Sequence, residues 1–239
     1  MTRVGAGDGM PAANPAANPA HSTGARVPRG LYVLTPETGD DAALLEAVGA
    51  ALRGGAATVQ YRNKTLSAAR QFEQAGPIRD ACRQAGALFI INDSVDLAAR
   101  LSADGVHLGR DDAALTDARA SLGPRAVIGV SCYDSLQRAL DTRAVADYCA
   151  FGSVAPSTVK PAAVRAPLAL FGEAHAAGLH AVAIGGIDES NAAGIIAAGA
   201  QAIAVITAVF GPAGQWFAAP VIEARARALA GMFGRGSAA

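Results

Sequence analysis

From Gly30 onward, short runs of aliphatic and β-branched residues alternate with longer alanine-rich segments that have helical spacing. Short apolar runs indicate strands, and apolar residues three or four positions apart indicate helices. The predicted strands are residues 31–35, 58–61, 88–91, 105–107, 126–130, 148–151, 181–184 and 202–206. The predicted helices are residues 41–53, 67–85, 94–101, 113–122, 135–145, 168–177, 189–198 and 215–232.

Eight strand–helix units within about 200 residues are typical of a (β/α)8 TIM barrel, in which parallel strands close into a ring inside a layer of helices. A doubly wound open sheet usually places a glycine-rich phosphate loop after its first strand. Here the first strand is followed by Pro36-Glu37, and the pair Gly185-Gly186 comes only after the seventh strand. The sequence therefore predicts the α/β barrel.

The predicted barrel, residues 29–233, is flanked by two segments of different character. Residues 1–28 contain a repeated Pro-Ala-Ala-Asn unit and lack apolar periodicity, so we expect a disordered tail that buries little. The segment lacks the apolar core of a secretory signal. Residues 234–239 are expected to form a short flexible tail.

Composition argues against several classes of partner. Lys plus Arg and Asp plus Glu number 20 each, so no basic surplus favours nucleic acid. No apolar stretch approaches the ~20 residues of a membrane span. The three cysteines are odd in number and lack metal-ligand spacing, which indicates reduced thiols in a cytoplasmic protein. Whether the chain forms a homo-oligomer is left open.

Polar residues follow the second predicted strand, and the carboxyl ends of the strands form the active-site rim in this fold. Gln60, Arg62 and Lys64 lie two positions apart, so an extended chain directs them to the same side. Two cations and an amide suit a highly charged anion such as a phosphate ester. The alternative is a solvated strand end with ordinary surface charges.

Carboxylates follow the third and fourth predicted strands. Asp93 lies beside Asn92, and Asp112 lies in the loop after strand four. Magnesium is typically bound by one or two carboxylates together with phosphates and water. A magnesium–pyrophosphate unit between these acids and the basic cluster would explain both, whereas helix N-capping is the alternative for any Asp after a strand.

The loops after the later strands have the composition of anion sites. Ser157, Thr158 and Lys160 form a hydroxyl-rich loop that ends in a cation. The frequent phosphate site of this fold uses the loops after strands seven and eight. There Gly186 lets backbone N–H groups approach a phosphate and Thr207 adds a hydroxyl, although packing alone would also explain the glycine.

Taken together, the motifs resemble those of the thiamine phosphate synthase family in order and in spacing. They are VQYRNK, IINDSVDLA, ADGVHLGRDD, IGVS, FGSVAPSTVK, AIGGI and AVITA. The resemblance covers nearly the whole barrel. It implies a Mg²⁺-dependent transferase of thiamine biosynthesis, acting on small-molecule substrates. Such an enzyme joins 4-amino-2-methyl-5-(diphosphooxymethyl)pyrimidine to thiazole phosphate, giving thiamine phosphate and pyrophosphate.

The resemblance also implies three sets of site residues. The pyrimidine pyrophosphate would contact Gln60, Tyr61, Arg62, Asn63, Lys64, Asn92, Ser131 and Lys160. Within that set, the catalytic residues would be Arg62, Lys64, Ser131 and Lys160. The thiazole phosphate would contact Ser157, Thr158, Val159, Gly186, Ile206 and Thr207. Asp93 and Asp112 would hold the magnesium ion.

The charges indicate a dissociative reaction. The electron-rich aminopyrimidine supports a carbocation while pyrophosphate leaves, and magnesium with Arg62, Lys64 and Lys160 would stabilise the departing oxygens. The thiazole nitrogen then attacks, and no general base is needed. His107, at the end of strand four, has either a catalytic or a purely structural role.

Two alternative functions fit parts of this pattern. A thiazole tautomerase-like relative would share the scaffold but would rely on a histidine after strand five, where this chain reads GVSCYDS. A non-enzymatic phosphate-binding barrel would use the phosphate loops. It would leave Asp93, Asp112 and the Gln60–Lys64 face without a purpose.

Overall fold

The computed structural model describes residues 27–109, 115–156 and 164–234, and its centre is a closed barrel of eight parallel strands. The strands are β1 (Gly30–Leu34), β2 (Thr58–Tyr61), β3 (Leu88–Asn92), β4 (Gly105–Leu108), β5 (Val127–Tyr133), β6 (Tyr148–Phe151), β7 (Ala181–Ile184) and β8 (Ala202–Val205). Each strand pairs with the next, and β1 pairs with β8 to close the ring. The predicted barrel is confirmed.

Helices follow the strands along the chain and cover the outside of the barrel. They are α1 (Asp41–Arg53), α2 (Ala68–Ala85), α3 (Val95–Leu101), α4 (Leu115–Leu122), α5 (Leu136–Thr142), α6 (Ala169–Ala176), α7 (Ala192–Ala197), α8 (Thr207–Phe210) and α9 (Ala219–Ala230). Serine or aspartate side chains cap four of these helices by accepting a bond from the backbone N–H three residues on. The capping residues are Asp40, Ser67, Ser94 and Ser135.

Alternate residues of each strand face two different cores, because side chains alternate across a strand. Val33 and Phe89 pack outward against the helices. Tyr32, Ile90 and Tyr148 fill the inside of the barrel. The interior is therefore a packed core rather than a pore, and the polar groups described below lie at and within one end of it.

Several elements differ from the sequence prediction: α5 ends at Thr142 rather than at residue 145, and α7 starts at Ala192 rather than at residue 189. Two further differences lie close to the predicted site residues. β5 continues to Tyr133, so Ser131 lies inside a strand rather than after it. The single helix predicted over residues 215–232 is wrong at its amino end. A short helix, α8, follows β8 directly and ends at Gly211, whose φ of +95° suits glycine, and α9 starts only at Ala219.

The described chain begins beside the barrel. Pro28 is buried, and its carbonyl oxygen accepts a hydrogen bond from His180 Nε2 at 2.5 Å. Residues 1–26 and 235–239 lie outside the described residues, so the two tails stay predictions. Within the described ranges, no helix is both long and apolar enough to cross a membrane.

Candidate active site

Two cations and two acids alternate at the rim formed by the carboxyl ends of β1, β2 and β3. Arg62 Nη1 lies 2.5 Å from Glu37 Oε1. Lys64 Nζ lies 2.8 Å from Asp93 Oδ2. All four side chains are partly exposed, so these ion pairs are accessible from solvent. The rim therefore brings together the basic residues and one of the predicted metal ligands.

Glu37 belongs to this group although the sequence analysis did not identify it. Its Oε1 accepts bonds from Arg62 Nη1 and, at 3.3 Å, from the backbone N–H of Lys64. Glu37 lies three residues beyond the end of β1, which is the same kind of position that singled out Asp93. The rule that the loops after the strands form the rim would have found it.

The backbone of Arg62 is anchored to the end of β1. The buried Thr35 hydroxyl accepts a bond from Arg62 N at 2.8 Å and donates one to Arg62 O at 3.1 Å. Thr35 N also donates to Gln60 O at 2.9 Å. The base of the Arg62 side chain is thus fixed, while its guanidinium group reaches the exposed rim.

Tyr61 and Asn63 point the other way, as the alternation along the strand requires. The Tyr61 hydroxyl donates to Gln74 Oε1 at 2.9 Å, and Asn63 Nδ2 donates to the same oxygen at 3.1 Å. Asn63 Nδ2 also donates to Thr38 O at 2.8 Å. Both side chains therefore tie the end of β2 to α2, and their contact with a substrate stays a prediction.

Asp93 occupies a tight turn after β3. Its φ is 64°, in the left-handed region that Asp and Asn enter more readily than other non-glycine residues. Its backbone N–H donates to His107 O at 2.9 Å, and Ser94 N donates to Asn92 O at 2.8 Å. This turn holds the carboxylate of Asp93 at the rim, with half-buried Asn92 beside it.

The carboxylate oxygens at the rim are of the type that binds magnesium. Carboxylate oxygens are hard donors, and Mg²⁺ commonly takes only one or two of them, with phosphate oxygens and water as its other ligands. Asp93 supplies one such carboxylate, and Asp112 lies outside the described residues. The described ranges contain no cluster of three or more His, Cys, Asp or Glu suited to a metal.

A chain of hydrogen-bonded side chains, all of them uncharged, lies beneath the rim. Ser131 Oγ is 2.9 Å from His107 Nε2, and His107 Nδ1 is 3.0 Å from the Tyr148 hydroxyl. Tyr148 in turn contacts the Tyr32 hydroxyl at 3.0 Å, and Gln60 Nε2 donates to that hydroxyl at 2.6 Å. Two predicted substrate residues, Gln60 and Ser131, thus form the ends of one chain.

The members of this chain are uncharged. Burial lowers the pKa of His107 to about 4, and the nearby charge of Asp93 offsets this only in part. Burial also raises the pKa of Tyr32 to about 12 and that of Tyr148 well above its usual value. At neutral pH the imidazole is therefore neutral and both phenols keep their protons. His107 is a hydrogen-bonded member of the interior.

The glycines after β7 meet a packing demand. Gly186 has φ of +68°, and a Cβ there would lie 2.4 Å from Pro156 O and 2.6 Å from Ala155 O. Ala155 N donates to Gly185 O at 3.0 Å, which fastens the loop after β6 to the loop after β7. Packing alone thus accounts for Gly186, and its role at a phosphate stays a prediction.

The remaining predicted residues fall into two groups. Ile206 is half-buried between β8 and α8, and Thr207 is the first residue of α8. Both lie at the carboxyl end of β8, on the same rim as Gly186. The other group, Asp112, Ser157, Thr158, Val159 and Lys160, lies outside the described residues.

Comparison with known proteins finds consistent similarity along the barrel. A family model described as thiamine monophosphate synthase matches residues 31–209. The chain is 52% identical over 206 residues to a thiamine-phosphate synthase of Chromobacterium violaceum, covering 86% of this chain and 96% of that protein. It is 50% identical over 206 residues to that of Methylobacillus flagellatus, covering 86% and 95%. The solved thiamine phosphate pyrophosphorylase from Pyrococcus furiosus superposes with a TM-score of 0.74 at 32% identity, covering 86% and 96%.

Proposed function

The chain belongs to the thiamine monophosphate synthase family, and from this premise we propose how the rim of its barrel carries out the family reaction. The protein is a transferase of thiamine biosynthesis. It joins 4-amino-2-methyl-5-(diphosphooxymethyl)pyrimidine to thiazole phosphate and releases pyrophosphate. The substrates are small molecules, and we place the enzyme in the cytoplasm because its three cysteines are all buried and unpaired.

The observation that best supports this site is the alternation of charge at the rim. Arg62 and Lys64 are held by Glu37 and Asp93, two acids that a diphosphate would replace. An exposed ion pair contributes at most about 1 kcal/mol, so the exchange costs little. Arg62 offers a planar fork to phosphate oxygens, whereas Lys64 offers a point charge. The rim is thus preorganised for a polyanion.

Mg²⁺ is the proposed cofactor, held by Asp93 and Asp112. When bound, it would neutralise charge on the diphosphate oxygens. With Asp93 engaged by the ion, Lys64 would leave that carboxylate, and its ammonium group could turn to the substrate. Metal binding and the availability of Lys64 would then be linked.

The first step breaks the bond between the methylene carbon of the pyrimidine and the diphosphate oxygen. The electron pair leaves with the diphosphate, and Arg62, Lys64 and Lys160 stabilise the charge that develops on it. Ser131 adds a hydrogen bond, while Gln60 and Asn92 orient the pyrimidine end. The positive charge left on the methylene carbon is shared with the aminopyrimidine ring.

The second step forms the new C–N bond. The lone pair of the thiazole nitrogen attacks the methylene carbon, and because this nitrogen carries no proton, no general base is required. Binding both substrates in one site makes this attack effectively unimolecular. The proposed thiazole phosphate contacts are Ser157, Thr158, Val159, Gly186, Ile206 and Thr207.

The decisive experiment is a coupled assay of pyrophosphate release with both substrates and with each alone. We expect release only with both, together with an equal amount of thiamine phosphate measured by chromatography. Equal release from the pyrimidine diphosphate alone would identify a hydrolase instead. Absence of release with both substrates and magnesium would refute the synthase reaction.

A further inference from the structure

A hydrogen-bond chain crosses the inside of the barrel and joins five strands. Its order is Gln60 on β2, Tyr32 on β1, Tyr148 on β6, His107 on β4 and Ser131 on β5. The successive distances are 2.6, 3.0, 3.0 and 2.9 Å. The three middle residues are absent from the proposed substrate contacts, yet they connect two residues that have such a role.

We propose that Tyr32, Tyr148 and His107 are positioning residues of the reaction, which orient the Ser131 hydroxyl so that its proton points to the leaving diphosphate. This proposal rests on the proposed function. None of the three residues is among the proposed substrate contacts. They act by fixing the direction of every hydrogen bond along the chain.

The direction follows from counting protons. Gln60 Nε2 can only donate, so the Tyr32 oxygen accepts from it. The bond between Tyr32 and Tyr148 admits either direction, and we assign Tyr32 as its donor because the buried Tyr32 proton has no other acceptor among the described residues. Tyr148 then donates its own proton to His107 Nδ1. An imidazole whose Nδ1 accepts a hydrogen bond carries its proton on Nε2. His107 therefore donates to Ser131 Oγ, and the Ser131 proton remains available to another acceptor.

The opposite direction would be unproductive. If Gln60 presented its carbonyl oxygen to Tyr32, every bond would reverse and Ser131 would give its proton to His107. The hydroxyl would then turn only lone pairs toward the substrate, and diphosphate oxygens are acceptors as well. In the productive direction Gln60 also keeps its carbonyl oxygen free for the amino group of the pyrimidine. In this direction the hydrogen-bond chain leaves an acceptor on Gln60 for the pyrimidine and a donor on Ser131 for the diphosphate.

The wall of the barrel leaves space for the Tyr148 ring, which is a member of this hydrogen-bond chain. A Cβ at Gly129 would lie 2.1 Å from Cζ of Tyr148, so only glycine leaves room for the ring at that place on β5. The Tyr148 ring also stacks on His107, with centroids 5.5 Å apart and planes 29° from parallel. The Tyr148 hydroxyl is therefore held between His107 and Tyr32 by packing as well as by hydrogen bonds.

A double-mutant cycle on Tyr148 and Ser131 tests the proposal. Tyr148→Phe removes one hydroxyl and should lower the single-turnover rate at saturating substrates about 10-fold, which corresponds to one lost hydrogen bond in the transition state. Ser131→Ala should lower it by at least as much. If Tyr148 acts through Ser131, the double variant should be no slower than Ser131→Ala. Losses that multiply in the double variant, or a wild-type rate for Tyr148→Phe, would overturn the proposal.

A second series separates orientation from packing. The side-chain N–H of His107→Gln can take the place of Nε2–H and donate to Ser131, whereas His107→Leu fills the space without a donor. His107→Gln should keep a several-fold higher single-turnover rate, and equal rates in the two variants would contradict the proposal. Wild-type release of pyrophosphate in the same assay distinguishes a failure of this proposal from a failure of the synthase assignment.

Discussion

The rim and the interior of the barrel hold their polar side chains in opposite ways. At the rim, charged groups form exposed pairs: Arg62 and Glu37 are 29% and 31% exposed, and Lys64 and Asp93 are 56% and 29% exposed. In the interior, Tyr32 and Tyr148 are 1% and 2% exposed, and they join neutral groups in series. At the rim, the charged side chains can change partners. In the interior, the side chains are held in one arrangement.

The difference shows how one site can combine ion pairs that a substrate can displace with hydrogen bonds that keep a fixed geometry. Exposed ion pairs contribute up to about 1 kcal/mol and are screened by salt, so a substrate can displace them. A buried polar group that loses its partner costs roughly 1–3 kcal/mol, so the interior chain stays intact while substrates enter and leave. In the proposed site, the charge that binds the substrate is thus at the rim, and the groups that orient it lie beneath.

Removing the metal should cause the largest loss of activity. With EDTA we expect turnover to fall by at least ~10³-fold, because the diphosphate would lose the divalent charge at its oxygens and Lys64 would stay paired with Asp93. Added MgCl2 should restore the rate. Asp93→Ala should be inactive with or without the metal, whereas Asp96→Ala, at an exposed acid of α3, should behave as wild type. Undiminished turnover in chelator would disprove the metal assignment.

Removing one rim cation should have the next largest effect. We expect Arg62→Ala to lower kcat about 10²-fold, as for one preorganised charge contact to the leaving group. Arg53→Ala is the control, because Arg53 also forms an ion pair with a glutamate, Glu223 on α9, at 2.9 Å, but on the outer helices. Steady-state kinetics on both variants checks the prediction. Similar losses in the two would mean that Arg62 acts through the fold alone.

The free energy of unfolding should depend more on the interior chain than on the rim, the reverse of the order expected for activity. Tyr148→Phe leaves Tyr32 and His107 each without one buried partner, so we expect a loss of about 1–2 kcal/mol in the free energy of unfolding. Arg62→Met should change it by less than about 0.5 kcal/mol. Urea denaturation measures both. A larger loss for Arg62→Met would show that the rim pairs support the fold.

Deleting residues 1–27 should have the smallest effect, since their composition provides nothing to pack. We expect the melting temperature and kcat to stay within experimental error of the full chain. Pro28 remains, and its carbonyl keeps the bond from His180. His180→Ala should lower the melting temperature equally in both forms. A drop on truncation alone would show that the tail packs on the barrel.

Local rules predicted the residues whose position follows from their own strand. Period-two spacing predicted that Gln60, Arg62 and Lys64 share a side, and the strand-end rule placed Asp93 at the rim. The same rule would have placed Glu37 there, but no motif drew attention to it. By contrast, Tyr32 and Tyr148 are 116 residues apart, and their contact depends on the tilt and stagger of all eight strands.

The sequence by itself determined the eight strand–helix units, the closed barrel and the rim at which the charged residues gather, because these depend on local periodicity and on the direction of the strands. Only the tertiary structure decided which groups are partners. The pairing of Arg62 with Glu37, and the joining of Gln60 to Ser131 through Tyr32, Tyr148 and His107, depend on distances across the barrel. Those distances are fixed by closure of the ring, when side chains from strands far apart in the chain meet in one interior.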